Sequence, residues 1–281
     1  MNPAGSRQEF ARLIRLSPAR LDLARAALLV AAEEYPLLDP RPYLDRLDKW
    51  AFRVVETLGG SRGDPLATVA ALNHVLFDEE RLRGNAKDYY DPRNSFINEV
   101  MDRRLGIPIS LSLLYLEVAR RADLPVVGVG LPGHFIVAVR TPARSVFVDP
   151  FHEGAVLTEK DCEARVSKIF GGRMSLLPEH LEPVAPQSVL VRLLNNLKNI
   201  YVESRSHAKA HAVIDKLVLL APTDWAILRD RGLVRFNMKQ FRGALVDLES
   251  YLTNAKDAPD RSAILKLAKS IARNIEKQGG Q

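Results

Sequence analysis

Residues 130–150 read GLPGHFIVAVRTPARSVFVDP, and the reading of this stretch decides the fold. Phe135 to Val139 and Val146 to Val148 are short β-branched runs bounded by glycine and proline, and Val126 to Val129 precedes them. They predict a small antiparallel sheet whose strands are apolar on both faces, so each face needs a cover of helix or loop. A reversal at Thr141-Pro142 sets His134 directly opposite Asp149, with both side chains on one face. Cross-strand neighbours lie roughly 5 Å apart at Cβ, within hydrogen-bonding reach for imidazole and carboxylate. An acid placed there fixes the tautomer of a histidine and supports its protonated form. The same pair can also do no more than hold a hairpin together. A one-residue slip would put the two on opposite faces, so the turn decides the matter.

Upstream, the first hundred residues read as helix. Ser17-Pro18 is a start signal, followed by a stripe from Leu21 to Ala31 that ends at Tyr35-Pro36. A second helix follows Asp39-Pro40 and stops at Gly59-Gly60, and Asp64-Pro65 opens a third. Residues 84–96 are rich in turn formers, and Asn94 or Ser95 can cap a helix running through Arg104. Gly106-Ile107-Pro108 breaks it, and another helix runs from near Ile109 to about Ala122.

A nucleophile serving His134 belongs at a helix N-terminus, where backbone N–H groups and the dipole favour an anion. Ser110 and Ser112 stand at such a start. A hydroxyl there needs the histidine as a true general base, whereas a serine used only for capping or close packing needs nothing. Asn73, His74, Asn94 and Asn98 supply polar groups ahead of that helix, and His152 with Glu153 borders the end of the Asp149 strand. Cys162, behind Thr158, is expected to be a packed thiol. His207 and His211 have the i, i+4 spacing of a metal pair but no nearby third ligand, and are expected on an exposed face.

Beyond a proline-bounded linker, Pro183 to Pro186, the chain reads as helix again and repeats itself. At an offset of 34 residues Leu194 matches Leu228, Val202 matches Phe236, Ala210 matches Ala244, Ile214 matches Leu248 and Leu217 matches Tyr251. That is the tetratricopeptide period.

The bulk numbers agree with two domains: 281 residues, 47% hydrophobic and 26% charged. No apolar run approaches the roughly 18 residues of a membrane span, and the N-terminus carries no targeting pattern. A single cysteine excludes an internal disulfide and a cysteine-cluster metal site, and suits a reducing cytoplasm. The net charge of +6 is spread along the chain with acids interleaved, which argues against a nucleic-acid surface.

Several of these runs occur together in one family. NAKDYYDPRNS (Asn85 to Ser95), RRLGIPISLSLLYLEVARRADL, GVGLPGHFIV and FVDPF, followed by LLNNLKNIY and LRDRGLVRFNMKQFRGALVDLESYL, resemble the SirB-type transglutaminase-like proteins of bacteria from about Leu72 to Pro259. The resemblance implies an α+β fold: a papain/transglutaminase-like core of helices and a small antiparallel sheet over residues 1–182, then an all-α tetratricopeptide-like region over 187–281. It implies a triad of nucleophile, His134 and Asp149, with the nucleophile's position near Ile109 or Ser110. No cysteine stands there. The expected function is therefore a degenerate, non-catalytic domain that binds a peptide or protein through the cleft or the repeats, with Asn94, Asn98, Ser112 and His152 as binding residues. The alternative is a serine-dependent amide or ester hydrolase using Ser110, His134 and Asp149. Neither a cofactor nor a metal is expected, nor a nucleic-acid or membrane partner, and the expected compartment is the cytoplasm.

Overall fold

The structure, a computed structural model, describes residues 3–17, 20–142 and 144–279. Helices α1 (Pro3–Leu13), α2 (Leu23–Glu34), α3 (Arg41–Leu58) and α4 (Pro65–Asn73) come first. Pro18 lies outside the described residues; α2 starts at Leu23, where the Asp22 side chain accepts from the Arg25 N–H. Asp64 opens α4 by accepting from Leu66 N–H, with Pro65 behind it. A π-helical turn follows at His74–Glu79.

The turn-rich stretch contains β1 (Arg83–Gly84), which pairs in parallel with β2 (Leu105–Gly106) across α5 (Ile97–Arg103). The expected cap of α5 by Asn94 or Ser95 is not made: Phe96 holds the cap position without a side-chain bond. Asn94 is turned instead toward the preceding loop, where its Nδ2 donates to Asp88 O at 2.7 Å and its Oδ1 accepts from Asn85 Nδ2 at 3.1 Å.

Helix α6 (Pro108–Arg121) is buried at every residue from Pro108 to Ala119, as a helix enclosed on all sides must be. It packs on α2, α3 and α5 and on the strands β3 (Val126–Val129) and β4 (Ile136–Arg140). With β5 (Ser145–Asp149) and β6 (Ala155–Leu157) these strands form an antiparallel sheet in chain order. The other face is covered by α7 (Glu159–Phe170), whose Cys162 and Val166 pack on Val129, Ile136, Ala138, Phe147 and Leu157. The sheet is thus covered on both faces, as its apolar strands require.

The hairpin register differs from the expected one. Ala138 faces Phe147 and Arg140 faces Ser145, so the position across from Asp149 belongs to Ile136, two residues from His134. The reversal lies between Thr141 and Arg144, where Thr141 Oγ1 donates to Arg144 O at 3.1 Å. A two-residue shift keeps every side chain on its face. His134, Ile136, Phe147 and Asp149 therefore still share the side that α7 covers.

Residues 183–184 are not a free linker. Pro183 bridges Val129, and Val184 N–H donates to Gly128 O at 2.9 Å, closing the β3 edge of the sheet. The helices α8 (Pro186–Glu203), α9 (His207–Leu220), α10 (Trp225–Asn237), α11 (Phe241–Asn254) and α12 (Arg261–Gly279) follow. Helix α11 repeats α9 at both ends 34 residues on, and α12 stands where a third unit would begin. The chain divides into two compact units, Met1–Leu193 and Leu194–Gln281, within α8.

In the second unit Gly232 lets α10 close on α11, since a Cβ there would lie 2.7 Å from Leu248. The buried Asp247 accepts from Arg231 at 2.9 and 2.7 Å and from Arg235 at 2.7 Å. His211 belongs to this network rather than to an exposed face: Arg235 Nε donates to its Nε2 at 3.0 Å, and Asp215 lies 3.3 Å from its Nδ1. Burial lowers the His211 pKa. Asp247→Ala removes the buried carboxylate shared by two guanidinium groups, leaving Arg231 with Asp215 and Arg235 with His211, and is expected to cost about 3 kcal/mol. Urea denaturation followed in the second unit checks this, and a cost below about 1 kcal/mol would show that water replaces the carboxylate.

Candidate functional site

Gly133, at a φ of +71°, turns the chain just before β4 and delivers His134 to the end of the sheet. Asp149 ends β5 and caps the single 3-10 turn Pro150–His152, its Oδ1 accepting from Phe151 N–H at 3.0 Å. Across the two-residue offset, His134 Nε2 reaches Asp149 Oδ2 at 2.8 Å. Asp149 is 0% exposed and His134 7%.

Two further groups converge on the same oxygen. His152 Nδ1 lies 2.9 Å from Oδ2, and Arg165 Nη1, from α7, lies 2.8 Å away. Burial by itself pushes the Asp149 pKa up, but His134, His152 and Arg165 outweigh it and hold the carboxyl at about 2. An ionised carboxylate only accepts, so the Nε2 of His134 carries the proton and its Nδ1 is left with a lone pair in the neutral ring. No hydrogen bond to that Nδ1 is made among the described residues. His152 Nδ1 also lies 2.9 Å from Arg165 Nη1. Protonated, it donates to Asp149; unprotonated, it accepts from Arg165.

The dyad opens on a cleft of about 910 Å³. Tyr89, Tyr90, Phe151 and His152 form an aromatic wall, with edge-on ring contacts from Tyr89 to Phe151 at 6.2 Å and from Phe151 to His152 at 5.2 Å. Asp161, Arg165, Lys168 and Ile169 of α7 form the opposite wall, and Pro108 brings the start of α6 to the cleft. Burial raises the Tyr89 pKa. Gly84 is required here, since a Cβ would lie 2.4 Å from Phe151 O.

Ser110 is not among the residues lining the cleft. It is fully buried, its Oγ accepting from Ile107 N–H at 3.0 Å and donating to Asn94 O at 2.6 Å. This is the N3 half of a capping box. Asn94 likewise sits beneath the cleft and holds the loop that carries Tyr89 and Tyr90. Ser112 Oγ donates to Phe135 O at 3.4 Å, a long bond that ties α6 to the residue after His134. Asn98 is buried with its Oδ1 unpaired. Asn73 seats the turn after His152, donating to Gly154 O at 2.9 Å, while His74 lies 3.4 Å from Asp78 and 3.5 Å from Glu79. Of the expected site residues, the structure thus brings His134, Asp149 and His152 together and places Ser110, Ser112, Asn94 and Asn98 behind them. Cys162 lies in the core under α7, and burial pushes its thiol up to about 11.

Residues 41–195, more than half of the chain, match the transglutaminase-like superfamily. The chain belongs to that superfamily. Residues 197–269 of this transglutaminase-like protein match the tetratricopeptide repeat. It is 38% identical over 239 residues to a UPF0162 protein of Xylella fastidiosa, with 83% of each chain covered. A UPF0162 protein of Pseudomonas aeruginosa is 30% identical over 202 residues, covering 71% of this chain and 72% of the other. Human F-box only protein 21 is 40% identical over 101 residues, which span 33% of this chain and 16% of that one.

Sequence reasoning missed Arg165, Lys168, Pro108 and the Tyr89–Phe151 wall. The face of α7 from Asp161 through Arg165 to Ile169 has helical spacing, and Tyr89-Tyr90 lies within the NAKDYYDPRNS run, but neither pattern names its target. His134, Asp149 and His152 also offer three metal-ligand atoms within 4.8 Å of one another. A divalent ion there would have to displace the guanidinium of Arg165 from the shared oxygen.

The Asp149 pKa carries a stability consequence. The folded value, about 2, lies below the ordinary 3.8. The group therefore stabilises the fold fully above pH ~4 and loses that contribution as pH falls through ~2. The effect amounts to about 2 kcal/mol. Asp149→Asn should be less stable than the wild type at pH 6, with the gap closing toward pH 2 in urea denaturation. A gap that stays constant over this range contradicts the assignment.

Proposed function

We propose that this transglutaminase-like protein is of the SirB type, acts in the cytoplasm, and binds a peptide segment of a protein partner in the His134 cleft without forming an acyl-enzyme. One observation carries the reading: among the described residues that line the cleft there is no serine, threonine or cysteine. Ser110, the hydroxyl expected as nucleophile, is spent on backbone groups of Ile107 and Asn94, and burial leaves Cys162 an inert thiol. The Asp149–His134 pair then orients a polar edge of the cleft instead of activating an internal nucleophile. The tetratricopeptide region supplies a second surface of the kind that repeats use for protein contact.

The serine-hydrolase reading needs Ser110 to leave two buried hydrogen bonds and move out of the helix packing, which runs against its burial. A fluorophosphonate probe separates the two: no labelling is expected, and labelling that is lost in His134→Ala would overturn the binding reading. Ser110→Ala is expected to cost about 1–3 kcal/mol, because Ile107 N–H and Asn94 O lose their partner.

Pro108 is the residue of α6 that lines the cleft together with His134. Pro108→Cys should therefore create a thiol with a depressed pKa, read from the pH dependence of iodoacetamide alkylation. An ordinary midpoint near ~8.5 would mean that the helix start does not face the histidine.

A further inference from the structure

The two edges of the four-stranded sheet are treated differently. On the β3 edge, Pro183 and Val184 lie alongside as an extended segment, with Val184 N–H bonded to Gly128 O at 2.9 Å. The β6 edge pairs only with β5; no further hydrogen bond reaches the backbone of Ala155, Val156 or Leu157 among the described residues. Both Val156 and Leu157 line the His134 cleft.

Exposed edges are usually blunted by lysine, proline or a bulge. Here the edge carries Val156, which is 52% exposed, and the same cleft holds Tyr90 at 70% and Ile169 at 48%. An edge protected only by being short has no need of three exposed apolar side chains around it. The charged lining is Arg165, Lys168 and Asp161, with His134 and His152 beside them. Arg165 is committed to Asp149, and Asp161 accepts from the cap residue Thr158. The Thr158 donors are neutral, so Asp161 keeps its charge but is held at the start of α7. Lys168 makes no ion pair among the described residues and is the cation of the lining left to meet an anion.

From these features we infer that an extended, acidic–apolar segment of a partner protein adds as a fifth strand to β6. The main chain bonds the open edge, alternate apolar side chains cover Val156 on the side of the sheet away from α7, and an intervening carboxylate on the other face meets Lys168 of α7. The inference rests on the binding reading of the cleft and names the kind of segment that occupies it.

The test uses the full chain and three acetylated, amidated hexapeptides of alternating valine and glutamate: the parent, one N-methylated at the valines and one N-methylated at the glutamates. In a strand, alternate N–H groups face opposite sides, so only one methylated set meets β6. The parent is expected to bind in calorimetry and to slow amide exchange at 155–157. One methylated peptide should lose about ten-fold or more per blocked hydrogen bond, while the other keeps the parent's affinity. Lys168→Glu should weaken the parent as well.

Equal affinity of all three, equal loss in both methylated forms, or no binding of the parent each overturns the strand addition. Binding that shifts the His134 ring resonances but leaves the 155–157 amides unprotected also overturns it, while the cleft reading stands. Covalent labelling by the fluorophosphonate overturns the cleft reading independently of any peptide result.

Discussion

The carboxylate of Asp149 lies out of contact with water and collects donors from several parts of the chain. His134 comes from the turn before β4, Phe151 N–H and His152 from the turn after β5, and Arg165 from α7. A buried charge is tolerated only when it is fully paired. The hairpin, the turn and the covering helix must therefore come together at one oxygen pair. That requirement fixes the tautomer of His134 and the orientation of Phe151, and so shapes the mouth of the cleft.

Behind this point, polar residues at the start of α6 serve the frame. Ser110 joins the first turn of α6 to Asn94, and Asn94 joins Asn85 and the loop that presents Tyr89 and Tyr90. The chain of bonds is buried, and buried polar groups are costly unless each finds a partner. Ser110 in this chain braces the loop that presents the cleft's aromatic wall.

The second unit follows a different logic. Its helices repeat at a fixed period, and the contacts between successive helices are largely apolar, as around Leu248, Tyr251 and Ile271. Asp247, the one deeply buried carboxylate among its described residues, is answered by two arginines from α10.

Much of the architecture was legible locally. Asp64-Pro65 starts a helix because a carboxylate can accept from the first turn and proline suits its first position. The 34-residue spacing announces repeats because each helix pair must present the same face to its neighbour. The alternation that places His134 and Asp149 on one face survived a two-residue error in register, since a shift of two restores the face. These features are carried by hydrogen bonds and periodicities within a few residues, so the sequence alone determined them. Tertiary structure alone decided that Ser110 faces Asn94, that Pro108 reaches the cleft, that Arg165 completes the pairing of Asp149 and that β6 is left open at its edge. Each depends on which distant segment comes to lie across a shared space, and that is settled only when burial and charge pairing are satisfied throughout the folded chain at once.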